Sequence, residues 1–308
     1  EVLHMDDAAS KILVNSIDGF TYDNTDEYRV KHTHFGSQVF SSTSVVDLNQ
    51  DGYLDVILSG TLNNERSGPT MVFFWDIHND RVTARIVNRP HNTIPGAIVG
   101  NFRDINNGSC DAGEECTWRR GMGVLNIANI DADPELEITF MSGSSLYALD
   151  QNLNEEWANH SSFFETSSGF TGTAVFDFDG DGASEIIYRD EIDLYIVDGT
   201  TGQPLNGFLS GTFCSSNTQA EYPIVADVDG DGETEIVVSC GCEENIIING
   251  DEVELNTKGS RACGYIRAYK ASGNNYWVPA RSVWNQTLYF NVNINDNLTI
   301  PTFAQPHH

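Results

Sequence analysis

Three features of the chain predict an all-β repeat protein. A nine-residue acidic loop is written four times, short β-branched runs flank each copy, and a second hairpin recurs at a fixed distance behind it. The loops occupy 47–55, 129–137, 177–185 and 227–235. They read Asp47-Leu-Asn49-Gln-Asp51-Gly-Tyr53-Leu-Asp55, Asn129-Ile-Asp131-Ala-Asp133-Pro-Glu135-Leu-Glu137, Asp177-Phe-Asp179-Gly-Asp181-Gly-Ala183-Ser-Glu185 and Asp227-Val-Asp229-Gly-Asp231-Gly-Glu233-Thr-Glu235.

Oxygen-bearing side chains stand at positions one, three, five and nine of every copy, and glycine at position six of three. A hard cation such as Ca²⁺ takes six to eight oxygens, so alternate side chains plus a sharp turn suit it. The predicted ligands are the side chains at those four positions, joined by the position-seven carbonyls of Tyr53, Glu135, Ala183 and Glu233. About four Ca²⁺ ions are expected. An EF-hand opens the same way but needs a bidentate Glu at position twelve and flanking helices. Position twelve is here Leu58, Phe140, Tyr188 and Val238, and the flanks are apolar runs such as Ser44-Val-Val46 and Ile236-Val-Val238. Such runs bounded by Gly and Asp are strand signals, so each loop is predicted to join two β-strands.

The repeat continues past the loop. Leu146 in Ser145-Leu-Tyr-Ala-Leu149 and Leu194 in Asp193-Leu-Tyr-Ile-Val197 lie 17 residues after Asn129 and Asp177. Met71–Asp76 fills that role after the first loop, and Gly264–Lys270 after the fourth, displaced by an insertion. A period near 50 residues with several strands per unit predicts a propeller. The whole chain, 1–308, is therefore expected to form a single β-propeller domain of five to seven blades. Residues 11–35 and 285–300 are expected to share a closing blade, and the stretch between loops one and two to hold either one blade with a long insertion or two blades, Ala97–Asn101 then supplying the second inner strand.

These D-x-D-G-D-G-x-x-E loops on a β repeat resemble the FG-GAP (VCBS-type) repeats of integrin α-subunit propellers, over about residues 40–270. The resemblance implies calcium held between blade strands. The second copy departs from it at Asn129 and Pro134. The segment Trp277–Gln286 resembles one that closes repeat domains in surface adhesins of gliding bacteria.

Composition sets the surroundings. Sixteen basic against 45 acidic residues leave a formal charge of −29. The loops hold three, four, four and five of those acids. Such a surface repels nucleic acid and anionic membrane, and no apolar stretch approaches the ~20 residues of a spanning helix. Six cysteines, Cys110, Cys116, Cys214, Cys240, Cys242 and Cys263, lie in polar, glycine-rich surroundings. Their even number and poor zinc spacing predict disulfides and an oxidising, extracellular setting.

No H-E-x-x-H, G-x-S-x-G or phosphate-cradling glycine loop is present, which leaves catalysis without a motif. Insertions at about 101–120 and 239–263 interrupt the repeat. Irregular loops on a repeated scaffold commonly carry binding, which makes Trp118, Arg119 and Arg120 the candidate ligand contacts. The expected function is a secreted or surface-displayed module for adhesion to glycan or protein. A polysaccharide-active lyase or hydrolase, and a spacer domain of a larger surface protein, are the alternatives.

Overall fold

The computed structural model describes residues 2–6, 11–15, 43–61, 70–76, 78–79, 81–87, 98–99, 123–142, 145–160, 162–163, 171–190, 192–205, 212–214, 222–241, 245–248, 251–254, 264–273, 276–284, 289 and 294–299. Among them every regular element is a strand and every pairing is antiparallel. No helix among them is long and apolar enough to cross a membrane.

Strands β1 (Val2–Asp6) and β2 (Lys11–Asn15) pair with each other. The first large sheet runs β3 (Thr43–Val46), β4 (Asp55–Thr61), β5 (Thr70–Asp76), β6 (Arg81–Val87) and β7 (Ile98–Val99), in that order. The second runs β8 (Asn126–Ala128), β9 (Glu137–Ser142), β10 (Ser145–Leu149) and β11 (Glu155–Asn159). The third runs β12 (Thr173–Phe176), β13 (Glu185–Arg189), β14 (Asp193–Val197) and β15 (Thr212–Phe213). The fourth contains β16 (Ile224–Ala226) and β17 (Glu235–Cys240). It skips the separate hairpin of β18 (Asn245–Ile248) and β19 (Asp251–Glu254), and takes β20 (Tyr265–Lys270) as its third strand.

Each large sheet is thus a meander entered through its acidic loop, which joins the first strand to the second. Placement of Gly264–Lys270 as the displaced third strand agrees with the sequence reading. Ala97–Asn101 does not: Ile98 and Val99 pair with Ala84 and Thr83, at the outer edge of the first sheet. They extend that sheet and open no new one. Most of the expected closing blade, 11–35 and 285–300, lies outside the described residues. Of it, Lys11–Asn15 pairs with β1, and Asn295–Thr299 is a turn closed by a 2.8 Å bond from Asn295 N–H to Thr299 O.

The sheets stack in chain order. Val46, Ile57, Val72 and Phe74 of the first share a core with Ile127, Ile138, Phe140 and Tyr147 of the second. Met141 and Leu146 of the second meet Ile186, Tyr188 and Val197 of the third. Ala174, Ile187 and Ile196 of the third meet Val225, Ile236 and Val238 of the fourth. Burying each such side chain contributes about 1.5–3 kcal/mol, the main force joining sheet to sheet. A middle sheet is consequently apolar on both faces, and all six residues of β9 are buried.

First strands lie side by side. Ser44 Oγ donates to Leu125 O at 3.2 Å, Asn126 Nδ2 donates to Thr173 O at 2.8 Å, and β12 lies against both β8 and β16. A disulfide, Cys214–Cys240, ties the end of the third sheet to the end of β17. Cys110, Cys116, Cys242 and Cys263 lie outside the described residues.

The seam between sheets two and three accounts for Trp157. Its Nε1 donates to Gly199 O at 2.8 Å, and its ring covers Gly202, which has φ +67°. A Cβ at Gly202 would collide with the indole and strain a left-handed residue. Gly202→Ala should therefore cost about 1–3 kcal/mol, read as a lower urea midpoint. An unchanged midpoint would show that the indole can move aside. Asn159, which opens the sequon Asn159-His160-Ser161, is committed to the same seam: it is buried and donates to Gly202 O at 2.7 Å. As folded, it is no glycan acceptor.

Candidate metal centres

The four loops share one hydrogen-bond scheme. The position-nine carboxylate turns back to accept the position-two N–H: Leu48 to Asp55 at 3.0 Å, Ile130 to Glu137 at 2.9 Å, Phe178 to Glu185 at 2.9 Å and Val228 to Glu235 at 3.0 Å. Position five accepts the N–H of position seven in every copy, at 2.7–3.0 Å. In copies one, three and four the first aspartate accepts from the glycine at position six, at 2.9, 3.0 and 3.2 Å. These glycines have φ between +84° and +96°, which is why glycine belongs there. Pro134 cannot adopt that angle or donate, so the second loop loses this bond and keeps the one that loops three and four also make, from the position-four N–H, here Ala132 to Asn129 Oδ1 at 2.8 Å.

Position four is left-handed in all four copies, at Gln50, Ala132, Gly180 and Gly230, which the sequence reading missed. Two glycines there were the available signal; Gln50 and Ala132 hid it. Position two anchors three of the loops in the core, since Leu48, Ile130 and Phe178 are buried.

The scheme gathers carboxylates. Asp131, Asp133 and Glu137 offer oxygens all within 4.8 Å of one another, as do Asp177, Asp179 and Asp181, and Asp227, Asp229 and Glu235. The first loop has Asn49 in place of one acid, and its Asp51 Oδ2 receives Asn79 Nδ2 at 3.3 Å. Two position-nine groups carry a buried oxygen with no hydrogen-bond partner, Asp55 Oδ1 and Glu235 Oε1. A buried carboxylate oxygen without a donor costs free energy unless a cation meets it. The donor set is wholly oxygen, which suits a hard divalent ion over a soft one.

Electrostatics agree. Burial, with acidic neighbours adding to it, pushes Asp55 up to about 7, Glu137 to about 8 and Glu185 to about 7. The position-two N–H bond opposes burial in each case but does not outweigh it. Glu156 of β11, overlooked in the sequence, is also pushed up to about 7, by partial burial and then by Asp131, Asp150, Asp133 and Glu135. It joins the field of the second loop, the copy that lacks a charge at position one.

A pH dependence follows. Without metal, these raised values mean that the folded state holds protons which the unfolded chain releases near pH 4 to 4.5. Metal-free stability therefore falls as pH rises from about 4.5 through 7 to 8. A cation replaces those protons, so the stabilisation it confers should grow over the same window. Thermal melts with calcium and with chelator at pH 5 and pH 8 test this; an equal calcium-dependent shift at both would refute it.

Among the other tryptophans, Trp75 is buried in the first sheet. Trp277 packs edge-on against Phe178 at 4.8 Å, and Trp284 lies tilted against Tyr289 at 4.7 Å. Trp118, Arg119 and Arg120 lie outside the described residues.

No family model and no curated protein matches this chain. Among solved structures, it is similar to the V. cholerae biofilm matrix protein Bap1, with a TM-score of 0.41 and 16% identity. That match covers 99% of this chain and 59% of that one. At such a TM-score the likeness carries no argument about this chain.

Proposed function

We propose that the chain is a calcium-stabilised β-propeller that works outside the cell as a binding module in adhesion, toward a glycan or protein ligand. The observation that carries this reading is the repetition of one loop scheme at the entry of four successive sheets whose first strands lie side by side. Blades around an axis have that arrangement: inner strands adjacent, apolar faces shared between neighbours, one loop per blade at the same end. The FG-GAP resemblance supports the same architecture.

Calcium is the ion that best matches an all-oxygen set on short loops, and extracellular modules hold it with dissociation constants on the order of 10⁻⁴–10⁻³ M. The buried Cys214–Cys240 disulfide favours an oxidising compartment. Each ion in this reading staples its two strands and offsets carboxylates that repel one another.

The ligand is assigned to the cysteine-bearing insertion at about 101–120, where Trp118 offers an apolar face and Arg119 and Arg120 offer positive charge on an acidic molecule. A carboxylated or sulfated partner fits that pairing. Glycan-array and pull-down experiments on the calcium-loaded protein should detect binding without turnover. Trp118→Ala/Arg119→Ala should fold normally and lose at least about ten-fold in affinity, as expected when a central anchor is truncated. Full-strength binding by that variant would remove the assignment. Release of reducing or unsaturated sugar ends would favour an enzyme, and silence in every assay would favour a spacer.

A further inference from the structure

The fourth loop has a cation of its own. In the first three sheets the third strand runs to an aspartate beside the loop. Asp76 follows Trp75, the partner of Val56; Asp150 follows Leu149, the partner of Ile138; Asp198 follows Val197, the partner of Ile186. Each caps the turn that comes next, accepting from Asn79 N–H at 2.9 Å, Asn152 N–H at 2.8 Å and Thr201 N–H at 2.9 Å. In the fourth sheet the residue after Tyr269, the partner of Ile236, is Lys270. The position is the same and the charge is reversed.

The ammonium of Lys270 reaches back into the loop, 2.8 Å from Asp231 Oδ2 and 3.1 Å from Glu233 Oε2. Loop three is the natural comparison, because both loops bond Gly to Asp at positions four and six in the same way. The converging carboxylates differ, however. Asp181 at position five completes the triplet of loop three, whereas in loop four the triplet is Asp227, Asp229 and Glu235, and Asp231 is on the ammonium. The buried, unpartnered Glu235 Oε1 shows that loop four still presents an unmet acceptor.

We propose that Lys270 is an internal counter-cation that weakens calcium binding at the fourth loop, so that this loop binds less tightly than it would with the aspartate the other sheets carry at that position. The inference rests on reading the loops as calcium sites. A divalent ion arriving there meets a fixed positive charge and must draw Asp231 away from it. For exposed groups, after screening, this amounts to about three- to ten-fold in affinity.

The same contact offsets loop four's carboxylates when calcium is scarce. That matters for residues 276–284, which cross loops three and four. Val278 N–H donates to Phe178 O at 2.9 Å, Ala280 N–H to Thr234 Oγ1 at 2.7 Å, and Ser282 Oγ to Asp227 Oδ2 at 3.4 Å. Lys270 keeps the loop under that strap in shape before the ion arrives, and calcium enters loop four in exchange for that contact.

Calorimetric titration of the full, metal-stripped chain with calcium tests the proposal. One class of site in the wild type should tighten about three- to ten-fold in Lys270→Gln, and further in Lys270→Asp, which restores the residue type of the other sheets. Asp181→Asn should weaken its site by more than about ten-fold, whereas Asp231→Asn should change its own by less than about three-fold. An unchanged set of affinities in both Lys270 variants, or equal losses in the two asparagine variants, would overturn the inference while leaving the calcium reading intact. If the Lys270 variants do not fold, the asparagine pair decides. Wild-type protein that takes up no calcium would overturn the calcium reading and this inference together.

Discussion

Removing calcium should lower the melting temperature by roughly 4–12 °C. An ion that binds only the folded state adds RT ln(1 + [Ca²⁺]/Kd), about 0.4–1.4 kcal/mol per site at 1 mM for Kd between 1 and 0.1 mM. Four independent sites would contribute on the order of 2–6 kcal/mol, against a typical total of ~5–15 kcal/mol. About 2 °C per kcal/mol converts this to the shift quoted for a chain of this size. The buried oxygens of Asp55 and Glu235 that lack a donor give the effect its structural cause. Asp177→Ala should capture one loop's share, and Asp227→Ala a smaller one, because Lys270 already offsets part of that loop's charge. Melting in excess chelator at the wild-type temperature would remove the staple argument.

The second large effect belongs to the disulfide. Cys214 and Cys240 are 26 residues apart, and their bond joins the third sheet to the fourth. Closing a loop of that length limits the unfolded chain by about 3–4 kcal/mol in the chain-entropy account. Both sulfurs lie in the core that Ile196, Val225 and Val238 share, so their loss also thins the packing. The Cys214→Ala/Cys240→Ala double variant, which leaves no orphan thiol from this pair, should lose about that much in urea unfolding. A loss under about 1 kcal/mol would mean that the unfolded chain is already constrained in this region.

Much of this was legible in the sequence because the loop chemistry is local. Alternate oxygens, a turn glycine and flanking β-branched runs suffice to place a loop between two strands, and Leu146 and Leu194 marked the hairpins behind loops two and three. What was not legible depends on partners distant in sequence. Ile98-Val99 is apolar on any reading, and only its pairing with β6 makes it an outer strand. The sequence leaves the partner of Cys214 open among the other five cysteines, and stacking of sheets three and four selects Cys240. Lys270 is an ordinary lysine until the register sets it beside an acidic loop at a position where three other sheets have aspartate. The left-handed Gln50 and Ala132 hold an angle their side chains disfavour, because the loop's hydrogen bonds outweigh that cost.

The double-sided burial of β9 bears on how this chain can be taken apart. A repeat with two sticky faces is not a portable unit. Cleavage between Asn159 and Thr171 would bare Met141 and Leu146 on one fragment and Ile186, Tyr188 and Val197 on the other. Each piece would carry a broad apolar wall with nothing to cover it, and such walls drive precipitation. Shortened versions made by deleting one unit therefore succeed only where the two exposed walls can be brought face to face again.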